Sequence, residues 1–144
     1  MTPPTRPTIL FACIHNSGRS VAAKVLAEHY GGDAVHVTSA GSEPGDAVNP
    51  AVAAVLAERG LSTAAESPKR LDTATIEAAD VVVTMGCGET CPVFPGKRYE
   101  DWTVADPAGQ DLEIVRVIVD DIDHRVRELI AELAVSNPSA TVLP

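Results

Sequence analysis

Val81-Val82-Val83-Thr84-Met85 is apolar without alternation, a run of strand rather than helix length. A strand with apolar residues on both sides of its pleat is buried on both faces, the situation of a central strand in a parallel sheet. Ile9-Leu10-Phe11-Ala12 is a second such run, and it ends at Cys13. Helix and strand signals alternate around these two. Ala22, Val25, Leu26 and Tyr30 share helical spacing in a segment from Ser20 to Tyr30, and Gly31-Gly32 stops it. From Ala34 to Ser39, Val35 and Val37 alternate with His36 and Thr38, as in a strand. Asn49-Pro50 reads as a cap and a first helical turn, Val52, Val55 and Leu56 as the apolar stripe that follows, and Gly60 as the stop. Asp72 or Thr73 opens a short helix holding Ile76 and Ala79, and Lys97 to Trp102 holds a last short strand. Ile114, Ile118, Ile122, Val126, Leu129, Ile130 and Leu133 trace one face of a long helix that Asn137-Pro138 ends. This order predicts an α/β fold with a parallel sheet, covered on both faces by right-handed crossovers. Ligands of such sheets bind beyond the carboxyl ends of the strands.

The 144 residues make one domain, expected over 8–136, with flexible tails at 1–7 and 137–144. Only 3% of the residues are aromatic, so the core must rest on Ala, Val, Leu and Ile, and base-stacking platforms for single-stranded nucleic acid are not expected. A net charge of −9 opposes binding to a phosphate backbone. No run is long enough to span a membrane, no signal peptide is evident, and three cysteines, an odd number, suit a reducing compartment. A cytoplasmic protein without nucleic-acid or membrane partners is the expectation.

The chemistry concentrates in Cys13-Ile14-His15-Asn16-Ser17-Gly18-Arg19-Ser20. A strand ending in a thiol, a short polar loop and a helix start together form an anion cradle. Helix-terminal N–H groups point at the bound ion and the dipole favours its charge. The same field favours negative charge on the sulfur of Cys13, and Arg19 offers a planar fork for two oxygens of a tetrahedral oxyanion. Read alone, the cysteine is equally an ordinary small core residue before a turn. Asp106-Pro107-Ala108-Gly109 is a loop by composition, and its Asp is a turn residue or a general acid. Cys87 and Cys91, in Gly86-Cys87-Gly88-Glu89-Thr90-Cys91-Pro92, read as structural thiols, half a zinc site, or a redox pair. Zinc is the weakest of these, with one other Cys and few His. Ser62 to Arg70 reads as a polar surface connection, Asp120-Asp121-Asp123 as a solvated face, and Trp102 as a candidate support under the Asp106 loop.

The loop resembles the oxyanion loop of the low-molecular-weight protein tyrosine phosphatase family and of the arsenate reductases that share its fold. The resemblance runs from Thr8 to the last helix and includes Ser39-Ala40-Gly41, Asp80 to Met85 and Asp106-Pro107-Ala108-Gly109. It implies a four-stranded parallel sheet flanked by helices, Cys13 as nucleophile, Arg19 as clamp, and Ile14 to Ser20 as the oxyanion cradle. Asn16 and Ser20 would orient the loop and stabilise the thiolate, and Asp106 would protonate the leaving oxygen. The phosphatases usually have Gly in place of His15 and Cys or Ile in place of Gly18. The pattern here is more similar to a bacterial arsenate reductase branch, and His15 is given no acid–base role. Two tyrosines commonly follow the Asp-Pro of the phosphatases, whereas Ala108-Gly109 follow here, a small rim suited to an inorganic ion.

Reducing arsenic(V) to arsenic(III) needs two electrons and so a second thiol, which a phosphatase does not need. Cys91-Pro92 matches the later cysteine of thioredoxin-coupled reductases, and Cys87 matches the earlier one less well. The segment also resembles actinobacterial reductases, some of which pass the arsenate to mycothiol and recover through mycoredoxin. The resemblance thus implies an arsenate reductase with arsenate as substrate and phosphate or sulfate as analogues. Its electrons would come from thioredoxin or from mycothiol and mycoredoxin, with no metal and no bound cofactor. A tyrosine phosphatase and a non-catalytic oxyanion-binding module are the rival readings.

Overall fold

The structure is a computed structural model that describes residues 6–86 and 97–136. Four strands, β1 (Thr8–Cys13), β2 (His36–Gly41), β3 (Val81–Thr84) and β4 (Arg98–Asp101), form one sheet in the order β2-β1-β3-β4. All three pairings are parallel, as the non-alternating runs require. Four helices accompany them: α1 (Arg19–Gly31), α2 (Pro50–Glu58), α3 (Thr73–Ala78) and α4 (Leu112–Ser136).

The two sides of β1 feed two different cores. Ile9, Phe11 and Cys13 face the larger one, with Val21, Val25 and Leu26 of α1, Val52, Val55 and Leu56 of α2, and Val115, Val119, Ile122 and Val126 of α4. Leu10 faces the smaller one, with Val82, Ala40 and Ile76 of α3. Burial on both faces is worth roughly 1.5–3 kcal/mol for each large apolar side chain, which holds β1 at the centre of the sheet. Because β1 lies between β2 and β3, its carboxyl end falls where the strand order reverses, the crevice in which open α/β sheets bind ligands.

Several sequence expectations move. The chain leaves α1 through a 3-10 turn at Gly32–Ala34, so the second strand begins at His36 rather than Ala34. It then runs on past Ser39 to Gly41, opposite Cys13. Ile114 is exposed, and Val115 takes the inward position at the start of α4. Asp123 does not belong to a solvated face. It is 4% exposed and accepts from Tyr30 Oη (2.8 Å), Arg59 Nη1 (3.3 Å) and Arg127 Nε (2.8 Å), tying α1, the end of α2 and α4 together. Asn49 caps α2 as expected, its Oδ1 accepting from the N–H groups of Ala51 (2.8 Å) and Val52 (3.3 Å). Asp72 caps α3, and the hydrogen bonds from Thr75 hold its carboxyl below the usual range. No helix among the described residues is long and apolar enough to cross a membrane.

Candidate active site

Residues 14–18 leave the end of β1 and enter α1, and four carbonyls of this stretch are held on the outside. Cys13 O accepts from Ser42 N (3.2 Å), Ile14 O from Glu43 N (2.7 Å), His15 O from Gly45 N (2.9 Å) and Ser17 O from Asn49 N (2.7 Å). In a trans peptide the N–H opposes the C=O, so turning these carbonyls outward turns the N–H groups of Ile14, His15, Asn16 and Gly18 inward. One of them shows the direction: Asn16 N–H points at Cys13 Sγ, 3.3 Å away. The result is a nest of donors over the sulfur, adjoining the N-terminus of α1.

Asn16 makes the turn with φ +50, the left-handed region that Asn enters more readily than most residues. Its side chain is oriented without ambiguity. Oδ1 accepts from Lys69 N (2.9 Å), a group that can only donate, so Nδ2 faces Ser20 Oγ (2.7 Å) and donates to it. Ser20 Oγ lies 3.0 Å from Cys13 Sγ, and since a thiolate can only accept, Ser20 is the donor whenever Cys13 is charged. Cys13 is 2% exposed, and Asn16 and Ser20 are fully buried beneath it.

The Ser62 to Arg70 stretch, read from sequence as a polar surface connection, buttresses this relay through its later half and the following Leu71. Lys69 O accepts from Gly41 N (2.8 Å) and Gly41 O from Leu71 N (2.9 Å), so the segment runs beside the end of β2. Lys24 of α1 holds it from below through Glu66 (2.9 Å), while also pairing with Glu28 (3.0 Å). Burial pulls the Lys24 ammonium down, but the two carboxylates outweigh it and leave it raised. Gly41 is required by space, since a Cβ there would lie 2.6 Å from Ile14 O and 2.8 Å from Asn16 N.

Arg19, the first residue of α1, donates through Nη1 to Val104 O (3.3 Å) and sets Nη2 3.9 Å from Asp106 Oδ2. It lies against Gly86, just past β3, where φ is +94 and a Cβ would come within 2.7 Å of Nη1 and displace the guanidinium. Asp106 is exposed, and its Oδ1 accepts from Ala108 N (3.0 Å) in the turn. Trp102 is buried on Phe11, ring centres 5.8 Å apart, and fixes where the chain leaves β4 toward this turn. His15 donates from Nδ1 to Glu43 O (2.9 Å), which leaves Nε2 unprotonated in the neutral ring.

Cys13, His15, Ser17, Gly18, Arg19, Asn49, Asp106, Pro107 and Ala108 line one cavity of about 20 Å³, space for about one water-sized body. Cys13, Arg19 and Asp106 therefore come together at one cavity. Ile14 contributes backbone, and Asn16 and Ser20 lie under the sulfur. Cys87 and Cys91 lie outside the described residues. Sequence reasoning missed Gly86, the Val104 carbonyl, the Lys69 amide and the Lys24–Glu66 pair. A glycine directly after a buried strand was a usable signal for the first; the others depend on contacts between distant segments.

The family model for low molecular weight phosphotyrosine protein phosphatases matches residues 8–138. A solved thioredoxin-dependent arsenate reductase of Corynebacterium glutamicum superposes with a TM-score of 0.80 at 41% identity, covering 94% of this chain and 64% of the longer one. The glutaredoxin arsenate reductase of Synechocystis is 32% identical over 129 residues, 88% of this chain and 98% of its own. An arginine phosphatase of Geobacillus stearothermophilus superposes with a TM-score of 0.80 at 28% identity, covering 90% of this chain and 94% of its own.

Proposed function

This chain belongs to the low molecular weight phosphotyrosine protein phosphatase family, and from that premise we propose that it is an arsenate reductase. One observation carries the choice of substrate: Asp106-Pro107-Ala108 roof a small cavity of about 20 Å³ over Cys13, whose lining among the described residues holds no Phe, Tyr or Trp. Such a rim fits an inorganic tetrahedral ion rather than an aryl ester. The arsenate reductases among its relatives support the same assignment.

Arsenate enters the Ile14–Ser20 nest, where backbone N–H groups and Arg19 take its oxygens. Cys13 Sγ attacks arsenic, an S–As bond forms, and the departing oxygen leaves as water with a proton from Asp106. The Ser20 hydroxyl and the Asn16 N–H hold negative charge on the sulfur before the attack. A second thiolate then attacks the sulfur of Cys13. An S–S bond forms, the S–As bond breaks, and its electron pair stays on arsenic, which leaves as arsenite. That thiol is Cys87, Cys91 or the small thiol mycothiol, and thioredoxin or mycoredoxin reduces the disulfide. Dependence on a thiol reductant of this kind supports a cytoplasmic location.

Incubation with arsenate and each reducing system in turn tests the assignment. Arsenite release that depends on a reductant is the expected result. Turnover of p-nitrophenyl phosphate with no arsenite would transfer the chain to the phosphatase reading, which the likeness to the arginine phosphatase favours.

A further inference from the structure

Gly18 is buried and caps α1 with a negative φ of −129, so a left-handed turn does not explain the glycine. Space does. A Cβ built on Gly18 would lie 2.8 Å from Pro107 Cγ, 3.6 Å from Pro107 Cδ and 3.8 Å from Val52 Cγ2. The missing side chain would thus point at the proline ring. Pro107 is the buried residue of its turn, between exposed Asp106 and Ala108, and all three line the cavity over Cys13. The ring resting on Gly18 is therefore what seats the turn on the cradle. Where that ring sits fixes both the height of the cavity roof and the distance from Asp106 to Arg19.

We propose that the Gly18–Pro107 contact is the specificity device of this site: it lowers the Asp106 turn onto the cradle, so that bare tetrahedral oxyanions fit and organic phosphate esters do not. The inference rests on the reading of the site as an oxyanion-reducing one and deepens it. Carbon–carbon contact becomes comfortable near 3.5 Å, so a methyl group on Gly18 forces the ring back by about 0.7 Å. Displacements of that order in an active site carry effects up to about 100-fold. A retreating roof makes room for an ester group at the mouth while it loosens the fit around the free ion. Pro107→Ala removes the two ring atoms that face Gly18 and opens the same roof from the other side. The two substitutions act on one contact, so their effects must not add.

The test uses protection of Cys13 from alkylation by iodoacetamide, read on the Cys13 peptide by mass spectrometry, in the full chain and in Gly18→Ala, Pro107→Ala and the double variant. Inorganic phosphate, sulfate and phenyl phosphate, none of which the site can reduce, are the protecting ligands. For the unaltered chain, half-protection is expected at concentrations at least about tenfold lower for the two inorganic ions than for phenyl phosphate. Each single variant should shrink that preference by about tenfold, and the double variant no further. An unaltered chain with no preference, single variants that keep it, or effects that multiply in the double variant would each overturn the proposal. Should Gly18→Ala fail to fold, Pro107→Ala alone carries the same prediction. Protection needs no turnover, so the two claims separate. A chain that discriminates yet releases no arsenite defeats the reductase reading and leaves the specificity device standing. A chain that makes arsenite while its variants keep the preference defeats the device alone.

Discussion

Replacing Ser20 with alanine deletes one oxygen, 3.0 Å from the sulfur of Cys13, at the end of the relay Lys69 N–H, Asn16, Ser20. A thiolate can only accept, so the serine proton points at the sulfur once Cys13 is charged, and the bond strengthens as that charge develops. Hydrogen bonds to charged groups contribute about 1.5–3 kcal/mol. At roughly 1.4 kcal/mol per factor of ten, Ser20→Ala should slow attack by Cys13 about 10- to 100-fold. The same change strands Asn16 Nδ2, a buried donor, and costs about 1–3 kcal/mol of folding stability. Two measurements keep these apart: kcat/KM for arsenate with a thermal melt, and the rate of Cys13 alkylation at fixed pH well below the melting temperature. Both rates should fall together in protein that is still folded. A folded Ser20→Ala variant with alkylation and turnover within about twofold of the parent would refute the relay, since a bond worth its usual strength cannot vanish so cheaply.

Asp106→Asn removes the proton donor and should cut arsenate turnover by about 10²- to 10⁴-fold in steady-state assays, with a smaller loss on p-nitrophenyl phosphate, whose leaving group needs little protonation. Asp123→Ala takes away the one acceptor shared by Tyr30, Arg59 and Arg127. Removing a partner from a fully buried pair costs about 3–5 kcal/mol, and since Arg59 and Arg127 are partly exposed the expected loss is about 2–3 kcal/mol, read by urea denaturation. The hydrogen bond to Asp123, with burial and the carboxylate's charge, raises the Tyr30 phenol. Its bond therefore stabilises the fold fully below the ordinary phenol range near pH 10 and is lost as pH climbs through the raised value. The stability gap between the parent and Tyr30→Phe should be flat at neutral pH and shrink in alkali; a gap that widens there would contradict the assignment.

The cradle was legible in the sequence because it is local: strand, loop and helix start are contiguous, and eight neighbouring residues carry nucleophile, nest and clamp. Asp106 was legible as a loop residue in the right chain order, and the sheet from two runs too apolar to face water. What supports the cradle was not legible. Gly41, Lys69, Glu66 and Val104 act through pairing with segments distant in sequence, and nothing in their own neighbourhoods signals that. Asp123 was misread although a signal existed. It follows Val119 by four residues and precedes Val126 by three, which puts a carboxylate on the buried stripe of α4 and calls for a partner. Ile114 erred the other way, an isoleucine one position off that stripe.

The most direct test of the account is a single-turnover experiment on the reduced protein with arsenate, following arsenite release and the state of all three cysteines. Without a recycling reductant, or with mycothiol alone, arsenite should appear in proportion to enzyme, Cys13→Ser should yield none, and Cys13 should be found in a disulfide with Cys87, Cys91 or mycothiol, which thioredoxin or mycoredoxin then reduces. Hydrolysis of phosphate esters by a protein that forms no arsenite with either reductant, its Cys13 remaining a free thiol throughout, would contradict it.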